Sequence, residues 1–222
     1  MATYIVALTG ASGAPYAIRL IGELLKRGDD VEAIISPNGF LILKEELGLD
    51  LSGKDPEAGL NGYIGRFLKK GNKGLKGMGL PRQAVSRGRV RVYKSQDISS
   101  RLASGSFITG IKAMVICPCS MGTLGRVAAG VSISLIERAA DCALKEKRPL
   151  VLVPRETPLN AIHLENMLKL SRSGALIVPA MPAFYHGPKT VDDIVCFMAG
   201  KILDVLGIEN DLYKRWDKDA RL

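Results

Sequence analysis

Short apolar runs alternate along the chain with stretches whose apolar residues recur every three to four positions. The runs predict strands and the periodic stretches predict helices. In the first helix, Ile18, Ile21 and Leu25 share one face. Strands that alternate with helices are typical of a mostly parallel sheet covered on both faces. The predicted strands are 4–8, 31–35, 90–93, 113–117, 150–153 and 175–178, and the predicted helices are 14–26, 37–47 after a cap at Ser36, 123–129, 134–145, 159–173 and 191–206.

The stretch 49–89 interrupts this rhythm with glycines and carries the net charge of the protein. The 222-residue chain has 31 Lys and Arg against 22 Asp and Glu, a net charge of +9. Residues 54–94 hold 11 of these bases and two of the acids, so the other 20 bases and 20 acids balance. We therefore expect a single domain, 1–222, with a basic, Gly-rich surface insertion at about 49–89 that contains a short helix at 61–70 and buries little apolar surface. The insertion is either a solvated loop or an attractor of phosphate-bearing ligands or an acidic partner.

Composition narrows the class of protein. Hydrophobic residues make up 47% of the chain and charged residues 24%, which is ordinary for a globular protein. The sequence shows no apolar run of membrane-spanning length and no secretory signal, so we expect a cytoplasmic protein without a membrane or nucleic-acid partner. Cys117-Pro118-Cys119 is one residue short of a CxxC motif and the two histidines are isolated, so we expect reduced thiols and no metal site.

Two loops that follow predicted strands carry residues suited to bind a ligand. The loop 9–14, Thr-Gly-Ala-Ser-Gly-Ala, leads into the first helix, where free backbone N–H groups bind anions. It matches neither GxGxxG nor the Walker A motif, so a tight turn without a ligand stays open. In the loop 118–123, Ser120 and Thr123 either cap the next helix or form a second wall of the same site.

Three cations and one carboxylate follow in the second half of the chain. Arg138 and Lys145 lie seven residues apart, on one face of a predicted helix. Arg155 and Glu156 come directly after the strand 150–153. Near one rim of the sheet these groups would suit a phosphorylated substrate, and otherwise they are solvated charges. The hydroxyl-rich segment 104–109 is predicted to be a plain loop.

Seven sequence blocks together resemble the flavin prenyltransferase family (UbiX type). The resemblance covers nearly the whole chain apart from the basic insertion, and the order of the blocks makes it specific. The blocks are Thr9-Gly10-Ala11-Ser12-Gly13-Ala14, Cys117-Pro118-Cys119-Ser120, Glu137-Arg138-Ala139-Ala140-Asp141, Leu144-Lys145-Glu146, Val153-Pro154-Arg155-Glu156-Thr157-Pro158, His163-Leu164-Glu165-Asn166-Met167 and Pro182-Ala183-Phe184-Tyr185-His186.

The resemblance implies a Rossmann-like, three-layer α/β/α flavoprotein. Members of the family bind FMN and dimethylallyl phosphate and join the prenyl group to N5 and C6 of reduced FMN without a metal. The prenylated FMN serves a UbiD-type decarboxylase. Members assemble as homo-oligomers, commonly homo-dodecamers, with sites between subunits. The alternatives are a flavin-dependent cysteine decarboxylase and a non-catalytic flavin-binding subunit.

The resemblance also implies roles for individual residues. Lys201 stands where the family usually has Arg, and Ile98 where some members have Trp. The implied catalytic residues are Glu156, Ser12 and Glu46, the implied prenyl-phosphate contacts are Lys145, Tyr185 and Lys201, and the implied flavin contacts are Gly10, Ala11, Ser12, Ser36, Ser106, Ser120, Met121, Gly122, Thr123, Arg138 and Arg155.

Overall fold

A six-stranded sheet forms the centre of the protein. The computed structural model of the chain describes residues 1–53, 55–69 and 88–216. Every strand pair in this part is parallel, in the order β3-β2-β1-β4-β5-β6. The prediction of a mostly parallel sheet is therefore confirmed. The strands are β1 Thr3–Leu8, β2 Asp30–Ile35, β3 Val90–Lys94, β4 Ala113–Cys119, β5 Leu150–Pro154 and β6 Leu176–Ile177.

Helices cover both faces of the sheet, as the Rossmann-like prediction requires. Side chains alternate along β1, so Val6 packs into one apolar layer and Ile5 into the other. The first layer is completed by α1, α2, α3 and α8, and the second by α4, α5, α6 and α7. The helices are α1 Ala14–Arg27, α2 Pro37–Leu47, α3 Pro56–Lys69, α4 Gly105–Ile108, α5 Met121–Ala129, α6 Leu135–Lys145, α7 Ala161–Arg172 and α8 Val191–Val205, with a 3₁₀ turn at Arg101–Ala103.

The predicted insertion at 49–89 is partly integral to the core, which corrects the expectation that it buries little. The helix α3 is longer than the predicted 61–70 and begins at Pro56. Leu60 and Ile64 are each 1% exposed and Leu51 is also buried, all in the layer that α1 and α8 share. Apolar residues four apart lie on one helical face, and the glycines around them obscured this stripe. The stretch 70–87 lies outside the described residues.

Two further segments differ from the expectation. Residues 104–109, predicted as a plain loop, contain α4, whose Ile108 is fully buried. The last strand, predicted as 175–178, is two residues long. Both elements are too short to show a period in the sequence.

Candidate functional site

A cleft opens where β1, β2 and β4 end. The chain adds strands on one side of β1 up to β3 and then crosses to β4 on the other side, and ligands of such sheets bind at this switch point. The cleft has a volume of about 460 Å³. It is lined by Thr9, Gly10, Ser36, Pro37, Asn38, Ser95, Ser120, Thr123, Arg126, Ile133, Ser134, Ile136 and Glu137.

Thr9 joins the two loops that form the floor of the cleft. Its buried hydroxyl donates to the carbonyl of Pro118 at 2.7 Å and accepts from the backbone N–H of Ser120 at 2.8 Å. The ends of β1 and β4 are thereby fixed to each other. A Cβ added to the neighbouring Gly10 would lie 2.5 Å from the Cβ of Asn38, so only glycine fits this floor.

Three serines begin helices at the wall of the cleft. Ser36 caps α2 by accepting from Gly39 N at 2.9 Å, and Ser120 caps α5 by accepting from Thr123 N at 3.4 Å. Ser134 begins α6 in a reciprocal capping box with Glu137. Capping and lining the site, which the sequence left as alternatives for Ser120, therefore occur together. Three helix starts surround the cleft with backbone N–H donors, which favours an electron-rich ligand.

A carboxylate of the protein itself, that of Glu46, occupies the start of the first helix. The Glu46 carboxylate of α2 accepts from Ala14 N at 2.8 Å and from Gly13 N at 3.0 Å. Gly13 itself offers no capping side chain. Glu46 therefore occupies the position that the loop 9–14 was expected to offer to an anionic ligand. Nearby, burial raises the pKa of Tyr16, with Cys117 and Glu46 adding to the shift.

Arg155 and Glu156 lie beside this loop, at the carboxyl end of β5. Arg155 Nε donates to the carbonyl oxygen of Ser12 at 3.3 Å. Ser12 is exposed, whereas Arg155 and Glu156 are half-buried. The Arg155 guanidinium thus meets the loop 9–14 at this rim, and the neighbouring Glu156 carboxylate accepts from the backbone N–H of Thr157 at 3.2 Å. Groups of these types can bind an anion and transfer a proton.

Lys145 does not share that rim, so the three cations do not gather at one edge, which was one of the two alternatives that the sequence left open. The helix α6 runs from the carboxyl edge of the sheet, where Leu135 N donates to Ser95 O, to the amino edge, where Pro149 accepts from Met114 N. A helix that connects parallel strands must run antiparallel to them. Lys145, at its end, is therefore on the opposite edge from Arg155.

The contacts of α6 are with the segment around Ala103. Arg138 Nε donates to the carbonyl of Ala103 at 3.1 Å, and Nη1 pairs with Asp141 at 2.8 Å. Lys145 pairs with Glu146, and this hydrogen bond raises the pKa of Lys145. Ser106, in α4, is exposed on the same side. These groups form a second polar patch, separate from the cleft.

Tyr185 and Lys201 belong to a third patch, around α8. The Tyr185 ring packs edge-on against Phe197 and Trp216, with centroid distances of 6.0 and 5.6 Å. Lys201 Nζ lies 3.8 Å from Asp204. No hydrogen bond or ion pair joins Lys145, Tyr185 and Lys201 within the described part of one chain.

In the part of the chain that the structure describes, the thiols are buried and the potential metal ligands are scattered. All four cysteines are buried and free. Burial raises the pKa of Cys119 to about 12 and also raises that of Cys117. Residues 1–53, 55–69 and 88–216 contain no cluster of three or more potential metal ligands. In the same ranges, no helix has both the length and the apolar character needed to cross a bilayer.

The cleft thus contains only some of the residues that the sequence predicted. Ala11 and Met121 are buried, Gly122 is exposed, and none of them lines it. The predicted residues that do line the cleft are Gly10, Ser36, Ser120 and Thr123, and the lining residues absent from the prediction include Thr9, Asn38, Ser95, Arg126, Ser134 and Glu137. The Ser-x-x-Glu pattern at 134–137 was a visible signal for two of them.

Comparison with known proteins identifies the family. The chain matches the Flavoprotein family over residues 2–203. It is 45% identical over 216 residues to flavin prenyltransferase UbiX of Halalkalibacterium halodurans, a match that covers 97% of this chain and 94% of the relative. The chain belongs to the flavin prenyltransferase family. The resemblance on the seven sequence blocks is thereby confirmed.

Solved flavin prenyltransferase-like structures share the fold over nearly the full length. A dodecameric FMN-dependent UbiX-like decarboxylase from Escherichia coli O157:H7 is 36% identical, with a TM-score of 0.77, and the match covers 97% of this chain and 98% of that chain. AnUbiX (PadA1), in complex with FMN and dimethylallyl pyrophosphate, is 30% identical, with a TM-score of 0.78 and 97% of both chains covered. The FMN-dependent cysteine decarboxylase TvaF, at 14% identity and a TM-score of 0.54, is similar in fold.

The cleft fits the flavin of this family. Hydroxyl groups and helix starts line it, and the crowded Gly10 keeps its floor free of a side chain. The cofactor of the protein is FMN.

Proposed function

We propose that the protein transfers a dimethylallyl group from dimethylallyl phosphate to N5 and C6 of reduced FMN. The observation that carries this proposal is the donor-lined cleft at the switch point, which opens beside the Ser12, Arg155 and Glu156 rim. Reduced FMN supplies the nucleophilic ring atoms. The C–O bond of the prenyl phosphate breaks, its electron pair leaves on the phosphate, and the freed prenyl carbon bonds to N5, which loses its proton. Protonation of the prenyl double bond then lets the tertiary carbon bond to C6, which loses its proton in turn.

The residues of the chain have separate tasks in this proposal. Gly10, Ser36, Ser120 and Thr123 bind the flavin in the cleft. Glu156 moves a proton at the rim, since its half-buried carboxylate follows the Arg155 cation directly. Cations stabilise the charge that develops on the departing phosphate, and Lys145 is one of the cations with this role.

A complete site is proposed to need more than one copy of the chain. Lys145 and Arg155 lie at opposite edges of the sheet, so a single chain does not bring both cations to one phosphate. A neighbouring copy in a homo-oligomer supplies the α6 patch with Ser106, Arg138 and Lys145. The dodecameric relative supports such an assembly. We further propose that the protein works in the cytoplasm and that a UbiD-type decarboxylase takes up the product.

Anaerobic incubation with reduced FMN and a prenyl donor tests the activity. Dimethylallyl phosphate and dimethylallyl pyrophosphate are supplied in separate reactions, and the released flavin is analysed by mass spectrometry. We expect the flavin to gain one five-carbon unit in the reaction of the wild-type protein. In Glu156→Gln, the rate of prenylation should fall about 10²–10⁴-fold while the affinity for FMN is retained. Glu209→Gln, which changes an exposed carboxylate beyond α8, is the matched control. Unmodified flavin with both donors contradicts the proposal.

A further inference from the structure

Arg126 is a cation in the cleft wall that the family resemblance does not assign. It lies on α5, three residues after Thr123, so both side chains face the cleft. Among the described residues that line the cleft, Arg126 is the only base. Its side chain is 38% exposed, which leaves part of the guanidinium open to a ligand.

Two contacts hold the guanidinium in a fixed orientation. Arg126 Nε donates to Glu137 Oε1 at 2.8 Å, and Nη2 donates to Thr123 Oγ1 at 3.2 Å. The Glu137 side chain is 2% exposed, and its other oxygen accepts from the backbone N–H of Ser134 at 3.0 Å and from the Ser134 hydroxyl. A carboxylate this buried needs a cation, so Glu137 fixes Arg126 strongly.

The Nη1 atom of Arg126 has N–H donors that no hydrogen bond to the described residues uses. Within residues 1–53, 55–66 and 88–216, no hydrogen bond uses Arg126 Nη1. A Cβ added to Gly122 would lie 3.5 Å from this atom, so glycine keeps the approach clear. An oriented guanidinium with unused N–H groups is suited to phosphate, which it binds with paired hydrogen bonds.

The other anion position of the site is already filled. Glu46 takes the N–H groups of Gly13 and Ala14 at the start of α1, and its charge repels a phosphate there. The wall around Arg126 instead offers the hydroxyls of Ser95 and Ser120. We propose that Arg126 binds the terminal phosphate of FMN and so selects FMN over riboflavin, with Glu137 as the positioning residue. The assignment rests on the proposed function, because it requires a flavin in the cleft.

Flavin binding with and without the phosphate tests the assignment. Removal of Arg126 alone would leave Glu137 buried and unpaired, so the variant is the double change Arg126→Gln with Glu137→Gln, in which the amides can pair. Arg126→Lys is a second variant, which keeps the ion pair but loses the paired N–H donors of the guanidinium. Arg91→Gln is the matched control, since Arg91 pairs at 2.8 Å with the buried Glu32 outside the cleft, at a similar 36% exposure.

Dissociation constants for FMN and riboflavin are measured by quenching of flavin fluorescence. We expect the double variant to bind FMN about 10- to 150-fold more weakly, the usual range for a hydrogen bond to a charged group, and riboflavin about as wild type does. Arg126→Lys should show a smaller loss for FMN only, and Arg91→Gln no loss. Equal losses for both flavins, or undiminished FMN binding, overturn the assignment. A wild-type protein that binds neither flavin contradicts the proposed function itself.

Discussion

Replacement of Glu46 by Ala tests whether α1 depends on a cap supplied by another helix. Sequence resemblance implies a catalytic role for Glu46, whereas the structure gives its carboxylate the two N–H groups at Gly13 and Ala14. The first turn of α1 contains no acidic residue of its own. Glu46→Ala therefore removes both the acceptor and the charge that complement the start of this helix.

The size of the effect follows from these two contributions. Loss of a helix cap costs typically about 1 kcal/mol. A carboxylate at a partly buried helix start contributes up to about 2 kcal/mol. The free energy of unfolding should therefore fall by about 1–3 kcal/mol. For a chain of this size, about 2–4 °C of melting temperature corresponds to each kcal/mol, so the midpoint should fall by about 2–12 °C.

Thermal unfolding followed by circular dichroism measures the change. Glu45→Ala is the matched control, because Glu45 is the preceding residue of α2, is exposed, and its replacement by Ala changes the helix propensity by the same amount. Both variants are melted in the same buffer beside wild type. Equal melting temperatures for Glu46→Ala and Glu45→Ala would refute the capping role of Glu46.

Two more predictions concern the core. Leu60→Ala in α3 should lower the free energy of unfolding by about 2–5 kcal/mol, as for other buried leucines. Leu41→Ala, on the exposed side of α2, should change it little. Equal urea midpoints for the two variants would contradict the burial of α3. Burial raises the pKa of Cys119 to about 12 and shields all four thiols. Iodoacetamide at pH 8 should therefore label none of them in the native protein and all four in denaturant. Rapid labelling of the native protein would show that a thiol is accessible.

Much of the fold follows from local patterns in the sequence. Apolar runs predict the six strands because parallel strands in this sheet are buried on both faces, as β1 and β4 illustrate. The helix α3 was underestimated because its glycines conceal the pair Leu60 and Ile64. The helix α4 spans four residues, which is too short for a helical period to appear.

The site was less predictable than the fold because it depends on tertiary contacts. Ser36 and Ser120 were recognisable as helix caps from their place after a strand. Nothing local indicates that Glu137 of α6 pairs with Arg126 of α5 rather than with a cation on its own helix. The separation of Lys145 from Arg155 follows from the direction of α6, which becomes clear once the strand order is known.

The opposite positions of Lys145 and Arg155 have a genetic consequence. On the proposed shared site, each site combines the α6 patch of one copy with the rim of another. A cell with two alleles, one damaged at Lys145 and the other at Arg155, would build mixed assemblies in which some sites receive both residues intact. The two defects would then complement each other within one gene, although each allele alone would encode a protein with no complete site.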